Sequence, residues 1–178
     1  MGKFEKLFNQ FLDCVQTLQK ALNVSFTEAL VETFDNLEQG KIKVENGAPD
    51  EQTVAELSKK YQSLDYDEIS QKDKAQVFTF LTLKAINDDG FDVNKMPTPP
   101  AISTVIAMLM HKLVKNEKVE IVDPTIGTGI LLFSIISQLK ALNHSKDNYQ
   151  LVGIDNDEEM LNLADVAAHL NDFDIELY

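Results

Sequence analysis

The chain has 178 residues, a formal net charge of −13, 44% hydrophobic residues and one cysteine. That supports a packed core, while no apolar run approaches the ~18 residues of a membrane span and the start, Met1-Gly2-Lys3-Phe4-Glu5-Lys6, lacks the apolar stretch of a signal peptide. A lone cysteine excludes an internal disulfide and suits a reducing, cytoplasmic setting.

The first 90 residues read as four amphipathic helices forming an all-α domain. Phe4, Leu7, Phe8, Phe11, Leu12, Val15, Leu18 and Leu22 recur at helical spacing, and Cys14 falls in the same pattern as a packing residue. Ser25 with Glu28 is a capping-box pattern that opens a second helix, and Gly40 stops it. Asp50 can cap a third helix carrying Val54, Leu57, Tyr61 and Leu64. Ser70 with Asp73 opens a fourth, which Asp88-Asp89-Gly90 ends. Residues 91–98 read as a linker. Thr98 can then cap a helix with Pro99 in its first turn, where a missing N–H costs nothing. In that helix Ile102, Val105, Ile106, Leu109 and Leu113 are expected to form the buried face.

From there the pattern becomes α/β. Val119–Val122 reads as a strand, 130–142 as a nearly all-apolar helix buried against a sheet, and Tyr149–Ile154 as a second strand. Glu158–Leu170 is a second helix and Phe173–Tyr178 a third strand. Two strands and a third cannot close a doubly wound sheet, so the chain is expected to be the front part of a longer protein.

Between the first strand and its helix lies Asp123-Pro124-Thr125-Ile126-Gly127-Thr128-Gly129. Glycines here permit positive φ and let backbone approach a ligand, at the carboxyl end of a strand, where open α/β sheets bind. A P-loop would need a lysine that is absent between Lys118 and Lys140, and a dinucleotide loop would need a third glycine where Leu132 stands. An acid beside a glycine turn suits a ligand with positive charge and no phosphate. Asp155, 26 residues beyond Gly129, ends the second strand. It reads as a partner for ribose hydroxyls, or else as a helix cap or solvated turn acid.

These residues resemble the cofactor loop of the S-adenosylmethionine-dependent amino-methyltransferases, the adenine-specific (N6) DNA methylases, usually written D-P-x-x-G-T-G. Thr98-Pro99-Pro100 resembles the family's upstream Thr-Pro element, with Pro97 where many members carry an aromatic. Gly153-Ile154-Asp155-Asn156-Asp157 resembles its ribose-binding segment. The resemblance covers residues 91–178. It implies a Rossmann-like class I methyltransferase fold, present in its first part, and S-adenosylmethionine as cofactor. It further implies cofactor contacts from Thr98, Pro99, Asp123, Pro124, Thr125, Gly127, Thr128, Gly129, Asp155 and Asn156. Asp123 would accept from the α-ammonium, and free N–H groups of residues 125–129 would face the carboxylate. The family's catalytic loop, Asn/Asp/Ser-Pro-Pro-aromatic, has no match, because the one Pro-Pro here follows Thr98 and precedes Ala101. No residue is therefore expected to be catalytic.

The charge is uneven. Residues 1–90 carry 10 lysines and 16 acids, residues 91–116 carry 3 and 1, and residues 117–178 carry 3 and 12. Arginine, the usual bidentate reader of guanine and phosphate, is absent. DNA contacts would thus come from regions beyond Tyr178. His111, His144 and His169 lack metal-ligand spacing, so no metal is expected. A different methyl acceptor (RNA, protein or small molecule) and a non-enzymatic adaptor that keeps the cofactor fold are the alternatives.

Overall fold

Short polar caps decide where the first helices begin and end. The computed structural model describes residues 2–88, 98–114, 118–142, 144–145 and 148–178, and it divides the chain into two units, residues 1–91 and 92–178. Residues 91–97 of the expected linker, and the Asp89-Gly90 stop, lie outside the described residues.

In the first unit α1 spans Lys3–Leu22, α2 Phe26–Gln39, α3 Glu51–Leu64 and α4 Gln71–Asp88. Ser25 Oγ accepts from the Glu28 amide at 3.0 Å and Glu28 Oε2 accepts from the Ser25 amide at 3.1 Å, so the capping box closes. Gly40 ends α2 in the left-handed region at φ +65°. Asp50 accepts from the Thr53 amide at 2.7 Å and Ser70 from the Asp73 amide at 3.1 Å. These bonds satisfy helix-start donors that have no intrahelical partner. The helices bury Phe11, Val15, Leu18, Leu30, Phe34, Leu57, Val77 and Leu81 completely. Phe11 stacks on Phe34 at 5.2 Å, and Phe78 meets Phe34 edge-on at 4.9 Å. Cys14 is buried in this core.

The second unit contains α5 (Pro100–Leu113), β1 (Val119–Asp123), α6 (Ile130–Ala141), β2 (Tyr149–Gly153), α7 (Glu158–Leu170) and β3 (Ile175–Leu177). The strands form one parallel sheet in the order β1-β2-β3, with α6 and α7 as the crossovers that parallel neighbours require. The protein is thus a helical domain followed by the first part of a Rossmann-like sheet. As expected, α6 is buried, through Leu132, Phe133, Ile135, Ile136 and Leu139. No described helix is long and apolar enough to cross a membrane.

Two expectations about α5 are corrected. Its start falls on Pro100, with Pro99 at the N-cap position at ψ 139°. A residue before proline is held in extended backbone, so Pro99 cannot be helical and Thr98 lies one position too early to cap. The buried face is also different. Ser103 and Ala107 are buried, Ile106 is half-buried, and Ile102, Val105, Leu109 and Leu113 are exposed. The helix packs against α6 through small side chains, and the Ser103 hydroxyl meets Ser134 Oγ at 2.9 Å.

Candidate functional site

The parallel register brings the three strand ends level, with Asp123 opposite Gly153 and Gly153 opposite Leu177. The Ile154 amide donates to the Asp123 carbonyl, and the Ile126 amide donates to the Ile154 carbonyl, both at 2.9 Å. These two bonds stitch the loop after β1 to the loop after β2. Ile126 is buried and closes the seam. A Cβ on Gly153 would stand 2.4 Å from Ile126 Cδ1 and 2.9 Å from Leu177 Cδ2, so a larger residue there would make both side chains move.

The two glycines of the first loop differ in kind. Gly129 has φ +72°, and a Cβ would reach within 2.2 Å of the Phe133 ring. Gly127 has φ +54° with open space where its Cβ would point, so that side of the loop is accessible to a ligand. Gly129 donates to the Ile126 carbonyl and accepts from Phe133, both at 2.9 Å, which launches α6 directly from the turn.

Asp155 connects both loops. Its Oδ2 accepts from the Gly127 amide at 2.8 Å and its Oδ1 from the Asp157 amide at 3.0 Å. A carboxylate offers about four acceptor sites, so each oxygen can accept again. The Asp155 amide donates to the Tyr178 carbonyl at 3.1 Å, and Tyr178 donates to the Gly153 carbonyl at 3.0 Å. The capping role belongs instead to Asp157, whose Oδ1 accepts from the Glu159 amide at 3.0 Å at the start of α7. Asn156 is exposed between them.

The expected supply of free loop amides is narrower than the sequence suggested. Thr125 donates to Asp123 Oδ1 at 3.1 Å, and Ile126, Gly127 and Gly129 donate as described. Of residues 125–129, Thr128 alone leaves its N–H uncommitted among the described residues, joined by the first-turn amides of α6. Thr128 itself is buried, while Pro124 and Thr125 are exposed and Asp123 is half-buried. Thr98 is half-buried and Pro99 exposed before the start of α5.

One pairing had no sequence signal. His111 Nδ1 and His144 Nε2 lie 2.8 Å apart with ring centroids at 5.0 Å. That centroid distance puts the two nitrogens nearly in line, as in a hydrogen bond between rings. Metal ligands would instead converge on a third point. Among the described residues no group of three His, Cys, Asp or Glu could hold a metal ion. Clefts of about 550 Å³ around Tyr149 and Phe173 and about 610 Å³ around Tyr61 and Tyr66 contain none of the motif residues. Hydrogen bonding, then, brings the motif residues together at the strand ends as a candidate site. It offers a carboxylate at each of two strand ends, a glycine gap, and helix-start amides that favour an anion.

Comparison with known proteins agrees with this architecture. Residues 5–86 match the YtxK N-terminal helical domain and residues 65–177 match the N-6 DNA methylase family. The uncharacterized protein YtxK of Bacillus subtilis (strain 168) is 26% identical over 167 residues, which are 90% of this chain and 47% of that protein. A Listeria monocytogenes structure (lmo1582), described as a candidate class I S-adenosylmethionine-dependent methyltransferase, superimposes with a TM-score of 0.79 at 28% identity. The match covers 98% of this chain and 52% of that one. The type I restriction-modification methyltransferase subunit of Streptococcus thermophilus gives a TM-score of 0.57 at 18% identity, over 94% of this chain and 38% of that one, and shares the fold. The chain spans about half the length of the relatives it matches. With its model matched from residue 65 to residue 177, the chain belongs to the N-6 DNA methylase family.

Proposed function

We propose that this chain carries the S-adenosylmethionine-binding portion of a methyltransferase whose acceptor is the N6 amine of adenine in DNA. The bond from Gly127 to Asp155 carries the reading, because it places an acceptor-rich carboxylate against the glycine gap. Asp155 would hold the ribose hydroxyls, with Asn156 beside the adenine. Asp123 would hold the α-ammonium, with Pro124 and Thr125 alongside. Thr128 and the first turn of α6 would face the carboxylate, Gly127 and Gly129 would give the backbone its close approach, and Thr98 with Pro99 would close the methionine end. Two observations support the fit: the open space at Gly127 and the residual acceptor capacity of Asp155. When bound, the cofactor supplies a methyl group on a sulfonium.

The acidic, arginine-free composition favours a division of labour in which these residues serve the cofactor and other parts of the protein hold DNA. The test is calorimetric titration of the full-length protein with S-adenosylhomocysteine, followed by tritiated-methyl transfer to unmethylated DNA. Saturable binding with label on adenine is the expected result. Absence of binding, or label on RNA or protein instead of DNA, would overturn the reading.

A further inference from the structure

The seam between α5 and α6 is polar at two places. Near the helix starts, Ser103 Oγ lies 2.9 Å from Ser134 Oγ, and Gln138 Nε2 donates to Ser103 Oγ at 3.0 Å and to Ser134 Oγ at 3.4 Å. Ser103 is 1% exposed. Farther along, His111 meets His144 just past the end of α6. Contacts that ascend together along both helices mean that α5 and α6 run parallel. Ser103 is three residues past Pro100, about 4.5 Å along the axis, and Ser134 is four past Ile130, about 6 Å. The two helix starts are therefore level to within roughly 2 Å, and Thr98-Pro99 enters at the height of Gly129.

We propose that Ser103, with Ser134 and Gln138, is a positioning residue for the cofactor site: the triad fixes the register of α5 along α6 and so holds Thr98-Pro99 level with the glycine loop. The proposal rests on the reading of Thr98 and Pro99 as cofactor contacts. Its physical basis is that the buried Ser103 hydroxyl meets its two half-buried partners on α6, Ser134 and Gln138, with good geometry at one offset. A slide of one residue, about 1.5 Å along either axis, displaces Ser103 from both of its partners across the seam, Ser134 and Gln138. An apolar seam has no such preference, since burial is non-directional. Replacing buried polar partners together by apolar groups of similar shape is often neutral for stability. A triad kept here for stability alone is thus dispensable, and one kept for register is not.

The experiment measures S-adenosylhomocysteine affinity by calorimetry, and melting temperature, on the full-length protein. It compares wild type, the triple variant Ser103→Ala/Ser134→Ala/Gln138→Leu, and Thr98→Ala. The expected result is affinity roughly tenfold weaker in the triple variant, with a melting temperature within about 3 °C of wild type, and weaker binding by Thr98→Ala as well. Wild-type affinity in the triple variant beside a weakened Thr98→Ala overturns the positioning role and leaves the cofactor reading intact. Unchanged affinity in Thr98→Ala overturns the reading of Thr98 and the proposal with it. A loss that merely tracks a lower melting temperature also overturns the positioning role. Should the triple variant fail to fold, Ser103→Ala, which removes both bonds across the seam with the smallest change in volume, is judged by the same criteria.

Discussion

Gly127 and Asp155, 28 residues apart in the chain, are joined at 2.8 Å by a backbone amide and a carboxylate oxygen. The positive φ of Gly127 takes its backbone into a region that other residues adopt with strain. The same carboxylate gathers the Asp157 amide on its other oxygen. The loop after β1 and the loop after β2 therefore share one anchor, set before any ligand arrives.

Replacing that anchor should cost more binding than replacing the acid two positions on. Asp155→Ala should weaken S-adenosylmethionine binding in the full-length protein by ~1.5–3 kcal/mol, as expected for lost hydrogen bonds to a charged group. Asp157→Ala removes a helix cap and should cost binding ~0.3–1 kcal/mol. Calorimetry on both variants decides, and equal losses would defeat the assignment of Asp155.

The two loop glycines should respond differently to alanine. Gly127→Ala meets open space and incurs only left-handed backbone strain, ~1–2 kcal/mol. Gly129→Ala adds a clash with the Phe133 ring, a further ~1–3 kcal/mol. Urea unfolding should therefore rank Gly129→Ala as the less stable protein. The reverse order would mean that Phe133 does not lie over Gly129.

Burial pushes the Cys14 thiol from its ordinary 9.0 up to about 12, and burial raises the Tyr61 phenol to about 12 as well. Between those limits the native state keeps protons that the unfolded chain has released. Stability should therefore fall as pH climbs through that window. Urea midpoints at pH 8 and pH 10.5 test this, with a shallower decline expected for Cys14→Ala. Native Cys14 should also resist a thiol reagent at pH 8 and react promptly in urea; rapid native labelling would contradict its burial.

The 178-residue chain by itself should transfer no methyl group to DNA, since its one Pro-Pro pair lies ahead of the cofactor loop and cannot act as the family's catalytic loop. A tritium-transfer assay on unmethylated DNA, run beside a relative of about twice this length, is the check. Activity in the shorter chain would show that the catalytic loop has been misassigned.

Local rules read well here because local chemistry determined the outcome. Ser25, Asp50 and Ser70 cap the helices that follow them, and Gly40 ends α2. The loop after β1 was legible because an acid and two glycines between a strand and an apolar helix leave few conformations. What the sequence hid is tertiary. Helical periodicity announces that Ile102, Val105 and Leu109 share a face, but packing gave the contact to Ser103 and Ala107, whose small side chains let α6 come close. The same limit hid the meeting of His111 with His144, 33 residues apart. Double proline moved the start of α5 beyond Thr98, an effect of the second ring on the first.

The sheet is laid down in space in the order in which it is synthesised, each strand joining the one before it after a single intervening helix. The first pairing closes a loop of about thirty residues, Val119 against Tyr149, and parallel pairing of this kind is slow beside a local hairpin. Asp155 illustrates the timing. Its amide finds the Tyr178 carbonyl only once β3 has emerged and paired with β2. The third strand thus fixes the backbone of the acid onto which the glycine loop is clasped.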